Sequence, residues 1–400
     1  MSVLHDVAAE DRAVAQLRTT DAIRERAQFL LARAEADHSP WFAVHAEGLE
    51  RAADEVAAVT RERFPDLEIP YHSRWRHFEA GGVDRKALLD NRLDAHSRIN
   101  AHIDLTVVSV LLDAGAGPSW RFHEAESGQE FTRSEGLGVA SWHAFTAGLF
   151  SSAPDDPLRV DAEGLRALTV PRLAEVFQVR ADNPLTGLEG RVTLLHRLAD
   201  ALDGPQGRPA ALFRPLGSEV SAHDLLNVVL ERLSGIWLSG SRIGQIPLGD
   251  VWRHESVPGP GPSRGWMPLH KLSQWLTYSL LEPMQWAGVR VRDLDALTGL
   301  AEYRNGGLLL DTHALRLRDP EWAEHIWSPA DEIVVEWRAL TVALLDRLAP
   351  LVRERLGVDA HRMPLACVLE GGTWTAGRRL AARLRDGLPP LPVRSDGTVF

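Results

Sequence analysis

The sequence predicts a mainly α, compact helical protein with a few short strands. Three observations predict it. Apolar residues recur at spacings of three and four, as in Leu269, Leu272, Leu276 and Leu280, the period of a buried helical stripe. Long runs rich in Ala, Arg and Glu carry no Gly or Pro, Ala8 to Ala36 first among them, and such runs favour helix. No regular strand–helix alternation appears, which argues against a parallel α/β sheet.

The elements follow in order. Ala8 to Ala36 is expected as one long helix stopped by His38-Ser39-Pro40, and His45 to Arg63 as a second, both scaffold. Arg85 to Leu112 is expected to be helical, ended by Gly115-Ala116-Gly117. Trp120 to Ser134 is polar and irregular, a short hairpin or lid. Ser134 to Leu137 leads the helix of Trp142, His143, Phe145 and Phe150, and Glu135 serves there as N-terminal charge or as a second acid. Thr169-Val170-Pro171 opens a further helix, with proline at its first position. Helices are expected over Leu188 to Leu202, Ser221 to Leu233 and Ala330 to Leu356. The last carries Glu336 and Arg338 in apolar company, where both need polar partners in the core. Short strands are expected near Arg290, Leu308 and the C-terminus, whose apolar end Ser395 to Phe400 reads as docked. One domain over 1–400 is expected, or two lobes with a break near the Pro/Gly-rich stretch 204–215.

Composition bounds the function. A formal net charge of −11 speaks against wide phosphate-backbone contact, so no nucleic-acid partner is expected, although a local basic pocket can still take a nucleotide-sized anion. Cys367 is the only cysteine, which excludes an intrachain disulfide and a CxxC metal site. With no long apolar run and no leader, no membrane association is expected and the chain reads as cytoplasmic. Thirteen tryptophans favour an aromatic-walled interior or cleft.

The stretch from Trp266 to Asp311 organises the rest. Lys271, Gln274, Tyr278 and Glu282 form a second stripe on the leucine helix, beside Trp275 and Trp286. They either line a cavity or pair with acids on a half-exposed face. Glu302-Tyr303-Arg304-Asn305 then runs into Gly306-Gly307, which lets backbone approach a ligand or turn sharply; a salt-bridged corner is the alternative. Upstream, His72, Arg74, Trp75, Arg76 and His77 crowd together, either an anion-and-ring binding patch or a buried corner. They are no metal site, because the two His lack helical spacing and a third ligand. Asp250 and His254, if helical, share a side as a carboxylate-oriented proton donor or as a helix-start pair. Ser256 to Arg264 sits as a lid before the central segment. Gly371-Gly372 at a helix start exposes N–H groups for a phosphate, or serves a tight turn.

The stretches IPYHSRWRHFEAGG, RSEGLGVASWHAF, GDVWRH, PLHKLSQWLTYSLLEP, LTGLAEYRNGGLLLD, EIVVEWRALTVALLD, LEGGTWTAGR and SDGTVF resemble an uncharacterised family tied to the uracil catabolic (URC) pathway of fungi and bacteria. Lys271-Leu-Ser-Gln274 followed by Leu297-Thr298-Gly-Leu-Ala301-Glu302-Tyr303-Arg304 also resembles queuosine-salvage nucleotide N-ribohydrolases. Those have Lys-x-x-Gln and Leu-Thr-x-x-Ala-Asp-Tyr-Arg, a helical DNA-glycosylase-like fold, and cut a ribose–base bond with the motif's carboxylate. This chain departs in having Glu302 for the Asp, one methylene longer, and in the Asn-Gly-Gly that follows.

The two resemblances together imply an N-glycosidic hydrolase acting on a small ribosyl phosphate such as ribosylurea 5′-phosphate, without cofactor or metal. Glu302, Lys271 and His254 are then the catalytic candidates, with His270 a further proton source. His72, Arg74, Arg76, Trp142, Asp250, His270, Gln274, Trp275, Tyr303, Arg304 and Asn305 are the substrate-binding candidates. Contact with other uracil-catabolism enzymes is expected as a partner interaction. The alternatives are a uracil phosphoribosyltransferase and a non-catalytic partner of the ring-opening enzyme. For the former, Leu308 to Asp311 and Ile333 to Glu336 lack the second acid and the Thr-Gly loop.

Overall fold

The computed structural model describes residues 2–202 and 207–394. It is mainly α, and among the described residues every sheet is a two-stranded pair. Contacts divide the chain into two units. The first comprises Met1–His72, Ser241–Gln274 and Asp293–Arg394; the second comprises Ser73–Gly240 and Trp275–Arg292. The expected break near 204–215 falls within the second: residues 203–206 lie outside the described residues, and Pro209–Leu216 forms 3₁₀ turns. The expected docked tail Ser395 to Phe400 also lies outside the described residues. No helix among the described residues is long and apolar enough to cross a membrane.

In the first unit, the 25-residue helix Glu332–Leu356 is the axis. It is buried along most of its length and packs against Thr20–Glu35 and Ala46–Arg63. The long first helix expected from composition is two, Ser2–Leu17 and Thr20–Glu35. Thr19 divides them: its extended backbone lets the hydroxyl accept the N–H of Ala22, a cap that propensity alone did not reveal. Tyr303–Asp311 packs on Trp374–Arg385, so Leu308 lies in a helix and not in the expected strand. Asn305, Gly306 and Gly307 favour a turn by type, but Glu302 caps the segment and three leucines bury its face.

The Gly371-Gly372 pair is also interior to helix. It lies in the wide π-turn Leu369–Thr373 between Leu365–Val368 and Trp374–Arg385. Its glycines answer to packing, since a β-carbon on Gly372 would lie 2.5 Å from the Val56 carbonyl oxygen. The phosphate-cradle reading therefore fails there. The expected lid from Ser256 to Arg264 is pinned: buried Arg26 donates to the carbonyl and the hydroxyl of Ser263 at 2.8 and 3.1 Å. Asp250 to His254 is not helical. Val251–Arg253 is a strand paired antiparallel with Trp266–Pro268, and Gly249 before it has φ 75°.

In the second unit, Arg85–Asp90 and Ala95–Leu111 replace the single expected helix. Asp94 starts the second by accepting the N–H groups of His96 and Ser97. Trp120 to Ser134 contains the hairpin Arg121–Glu124 with Gln129–Thr132. Arg290–Arg292 is the strand expected near Arg290, and it pairs in parallel with Glu219–Ser221. Thr169 caps Val170–Val176 by accepting the Arg172 N–H, so Val170 takes the first position and Pro171 the second, one residue later than expected.

Candidate functional site

The first unit holds a polar core on the helix Glu332–Leu356. Glu336 and Arg338 are two residues apart, so they point to nearly opposite sides of the helix, yet both are buried. Each has a partner. Arg338 forks onto Asp250, Nη1 to Oδ1 at 2.9 Å and Nη2 to Oδ2 at 2.8 Å. Asp250 also accepts the Trp252 indole N–H at 2.6 Å and the Lys271 backbone N–H at 2.8 Å. Burial pushes its pKa up, but the Arg338 charge and these hydrogen bonds outweigh it and hold the carboxylate below its usual range. Asp250 therefore anchors the start of the helix Lys271–Trp286.

Glu336 holds the other partner. Its Oε2 is 2.9 Å from His254 Nε2, and its Oε1 meets the Ser39 hydroxyl. The Ser256 N–H donates to His254 Nδ1 at 3.2 Å, which assigns the ring proton to Nε2. Asp250 and His254 thus serve two separate buried pairs and do not act on one another. His270 has φ 48° and places Nε2 2.9 Å from the Leu17 carbonyl; Nδ1 is buried without a partner among the described residues. Burial lowers its pKa, against the hydrogen bond to Leu17 and the charge of Asp250.

Glu302 caps the helix Tyr303–Asp311. Its carboxylate accepts the N–H of Arg304 at 2.8 Å and that of Asn305, and the side chain is buried. Burial raises its pKa, against these two N–H bonds and the charges of Lys271 and Arg304. The Lys271 charge acts on Glu302 because Gln274, one helical turn on, is fixed to the neighbouring segment. Gln274 Oε1 accepts the Thr298 N–H at 2.9 Å, and its Nε2 donates to the Thr298 hydroxyl. The Lys-x-x-Gln and Leu-Thr stretches are therefore one hydrogen-bonded assembly, with Lys271 half-buried at its edge.

The neighbours complete it. Tyr303 is half-buried, with the Arg304 guanidinium 4.7 Å from its ring centroid. Arg304 Nη1 donates to the Gly387 carbonyl at 3.1 Å. Asn305 Nδ2 donates to the Leu300 carbonyl at 3.2 Å, which fixes the amide orientation and leaves Oδ1 buried without a partner among the described residues. Gly306 and Gly307 do not turn the chain, since both lie within the helix Tyr303–Asp311. Gly306 makes room for Trp337, whose Nε1 donates to its carbonyl at 3.2 Å.

The remaining candidates are ion-paired or packed. His72 Nδ1 lies 2.9 Å from Glu370, which also takes Arg63 at 2.8 Å. Burial pushes the Glu370 pKa up, but His72 and Arg63 together bring it below its usual value. In the second unit, Arg74 is fully buried, with Nη1 2.8 Å from Asp113 and Nε donating to Ser109 at 2.7 Å. Burial lowers its pKa, opposed by Asp113 and Glu135. Trp275 Nε1 donates to the same Asp113 at 3.0 Å. Arg76 pairs with Glu282 and Glu79. Trp142 is buried edge-on to His143, and its Nε1 has no partner among the described residues. Arg74 and Arg76 are thus structural, held by acids distant in sequence, of which Glu282 lies on the stripe of Lys271 and Gln274. Asp113 shows only as a lone acid after Leu111-Leu112.

Glu124, Glu126 and His143 bring metal-ligand atoms within 4.8 Å of one another. Arg85 already forks onto Glu124, with Nη2 2.6 Å from each oxygen.

Residues 16–400 match the family described as "Protein of unknown function (DUF1688)". The chain is 39% identical to Protein urg3 of Schizosaccharomyces pombe, over 97% of this chain and 99% of that one. It is 37% identical to Uracil catabolism protein 4 of Lachancea kluyveri, over 83% of this chain and 85% of that one.

Proposed function

Because this chain belongs to the family of proteins of unknown function DUF1688, we propose that it serves uracil degradation as an N-ribosyl hydrolase. Its relative in Lachancea kluyveri is named for uracil catabolism, which supports the pathway. The reading is carried by one observation: a buried carboxylate at a helix start, acted on by the charge of Lys271, in two segments tied by Gln274 and Thr298.

The substrate is a small ribosyl phosphate such as ribosylurea 5′-phosphate. The C1′–N bond breaks with its electron pair moving to nitrogen, and a water oxygen bonds to C1′. Glu302 opposes the positive charge that develops on the sugar and takes a proton from the water. A carboxylate whose pKa is raised is a better base for that step. Lys271 donates a proton to the leaving nitrogen and regains it from Glu302, so urea and ribose 5-phosphate leave. His254 is not the donor, because both ring nitrogens are engaged. Arg304 and Asn305 flank the acid, and Asn305 Oδ1, without a partner among the described residues, suits a hydroxyl or N–H donor of the substrate.

The test is to incubate the protein with ribosylurea 5′-phosphate and with uridine nucleotides, and to follow urea, uracil and pentose phosphate. Urea release by the wild type, lost in Lys271→Met and in Glu302→Gln with circular dichroism unchanged, is the expected result. No turnover on any of these substrates overturns the reading. Nucleotide formation from uracil and phosphoribosyl pyrophosphate would make the protein a transferase instead.

A further inference from the structure

A cavity of about 350 Å³ lies wholly within the second unit, lined in part by His96, Asn100, Asp156, Arg159, Arg208 and Arg214. That volume lies within the range of small-molecule sites, about 300–1,000 Å³. Three guanidiniums meet there in a chain of formal net charge −11. Like charges gather at one surface only when structure holds them, and here it does. Asp104, fully buried on the helix Ala95–Leu111, accepts the N–H groups of Val160 at 3.1 Å and Ala210 at 2.9 Å. It thereby fixes the backbone next to Arg159 and two residues beyond Arg208. The same carboxylate takes Arg208 through Nε at 3.0 Å and Nη2 at 2.6 Å, which orients that guanidinium.

The pairing is uneven: Asp104, Asp156 and Asp161 match the three guanidiniums in number, but they serve only Arg159 and Arg208. Arg159 is shared between Asp161 at 3.1 Å and Asp156 at 3.6 Å. Arg214 forms no hydrogen bond or ion pair with any described residue, and it is exposed at the cavity. Planar forks facing one space match the oxygens of a phosphomonoester better than those of a neutral ligand. No Phe, Tyr or Trp is among the lining residues, so a base would find only the His96 imidazole and the guanidinium planes to stack on.

We propose that this cavity binds a small sugar phosphate, held through its phosphate by Arg159, Arg208 and Arg214. The site uses none of Glu302, Lys271 or Gln274, and it stands or falls independently of N-ribosyl hydrolysis.

Isothermal titration of the full-length protein with ribose 5-phosphate at pH 8, where the ester is dianionic, tests it. Ribose, inorganic phosphate and uridine 5′-monophosphate serve as comparisons. Saturable binding of ribose 5-phosphate is expected, with none for ribose and weaker binding for inorganic phosphate. Arg214→Glu, at an exposed position, should weaken binding at least about ten-fold, the loss of one charge-assisted contact, with an unchanged thermal midpoint. Three outcomes overturn the proposal: an Arg214→Glu isotherm equal to wild type, inorganic phosphate binding as tightly as the sugar phosphate, or uridine 5′-monophosphate binding more tightly than ribose 5-phosphate. Binding that survives Arg214→Glu but is lost in Lys271→Met also overturns it, by assigning the phosphate to the candidate catalytic residues.

Discussion

Gly306 and Gly307 stand side by side in one helix, and the structure makes different demands of them. A β-carbon on Gly306 would lie 2.7 Å from Cε2 of Trp337 and 2.8 Å from its Cζ2 and Nε1. That ring is 1% exposed and donates to the Gly306 carbonyl at 3.2 Å, so it cannot swing aside and keep its bond. Overpacking of this kind costs about 1–3 kcal/mol, and the lost hydrogen bond about 1 kcal/mol. Alanine returns about 1 kcal/mol in helix propensity. Gly306→Ala should therefore destabilise by about 1–3 kcal/mol, a fall in midpoint of roughly 2–12 °C for a unit of about 200 residues. At Gly307 the nearest atoms are Cδ and Cγ of Pro390, at 3.3 and 3.6 Å. There the propensity gain offsets a mild squeeze, and Gly307→Ala should stay within about 1 kcal/mol of wild type. Urea unfolding followed by circular dichroism measures both. Equal costs at the two positions, or a Gly306→Ala protein as stable as wild type, would refute the packing argument. Lost activity in a fully stable Gly307→Ala would restore a ligand role for the pair.

Asp250→Asn leaves Arg338 buried against a neutral amide and should cost about 3–5 kcal/mol; an unchanged urea midpoint would show the pair to be dispensable. Glu302 has a folded pKa above its ordinary 4.5, so the folded state binds its proton more tightly. Its contribution to stability is present below the unfolded value and lost as pH rises through the folded one. Stability measured from pH 4 to 8 should therefore fall in the wild type relative to Glu302→Gln, and parallel profiles would count against the raised pKa. Lys271→Met removes a cation that favours the ionised acid, and should move the Glu302 carboxyl titration, read by carbon NMR, to higher pH; no movement sinks the coupling. For Glu124, burial pushes upward, but Arg85, Ser127 and His143 bring its pKa down from 4.5 to about 2. Its contribution is present above the unfolded value and lost as pH falls between these limits. Glu124→Gln should flatten the acid limb of the stability curve there, and an unaltered limb would discount the cluster.

Much of the architecture was legible in the residues. The leucine spacing marks the helix Lys271–Trp286, and the Thr169-Val170-Pro171 cap marks its helix to within a residue. Errors fell where a polar side chain overrides propensity. Thr19 and Asp94 each split a helix, because a cap is local geometry and not composition. Gly306, Gly307, Gly371 and Gly372 read as turns or cradles, yet all lie inside helical turns, and at Gly306 and Gly372 the neighbours leave no room for a β-carbon. Glu336 and Arg338 were visible as charges in need of partners, but nothing in their own segment names His254 and Asp250.

By itself the chain determined its class, its periodic helices and the pair of motifs that hold Lys271 and Glu302. These depend on near neighbours in sequence, whose spacing fixes which faces are apolar. Only the tertiary structure decided what each charged group does. Arg74 and His72 are bound to acids far along the chain, Asp250 anchors a helix start, and Glu302 is left buried under the charge of Lys271. A buried charge takes its pKa and its role from whatever fills its surroundings, and long-range packing selects those neighbours.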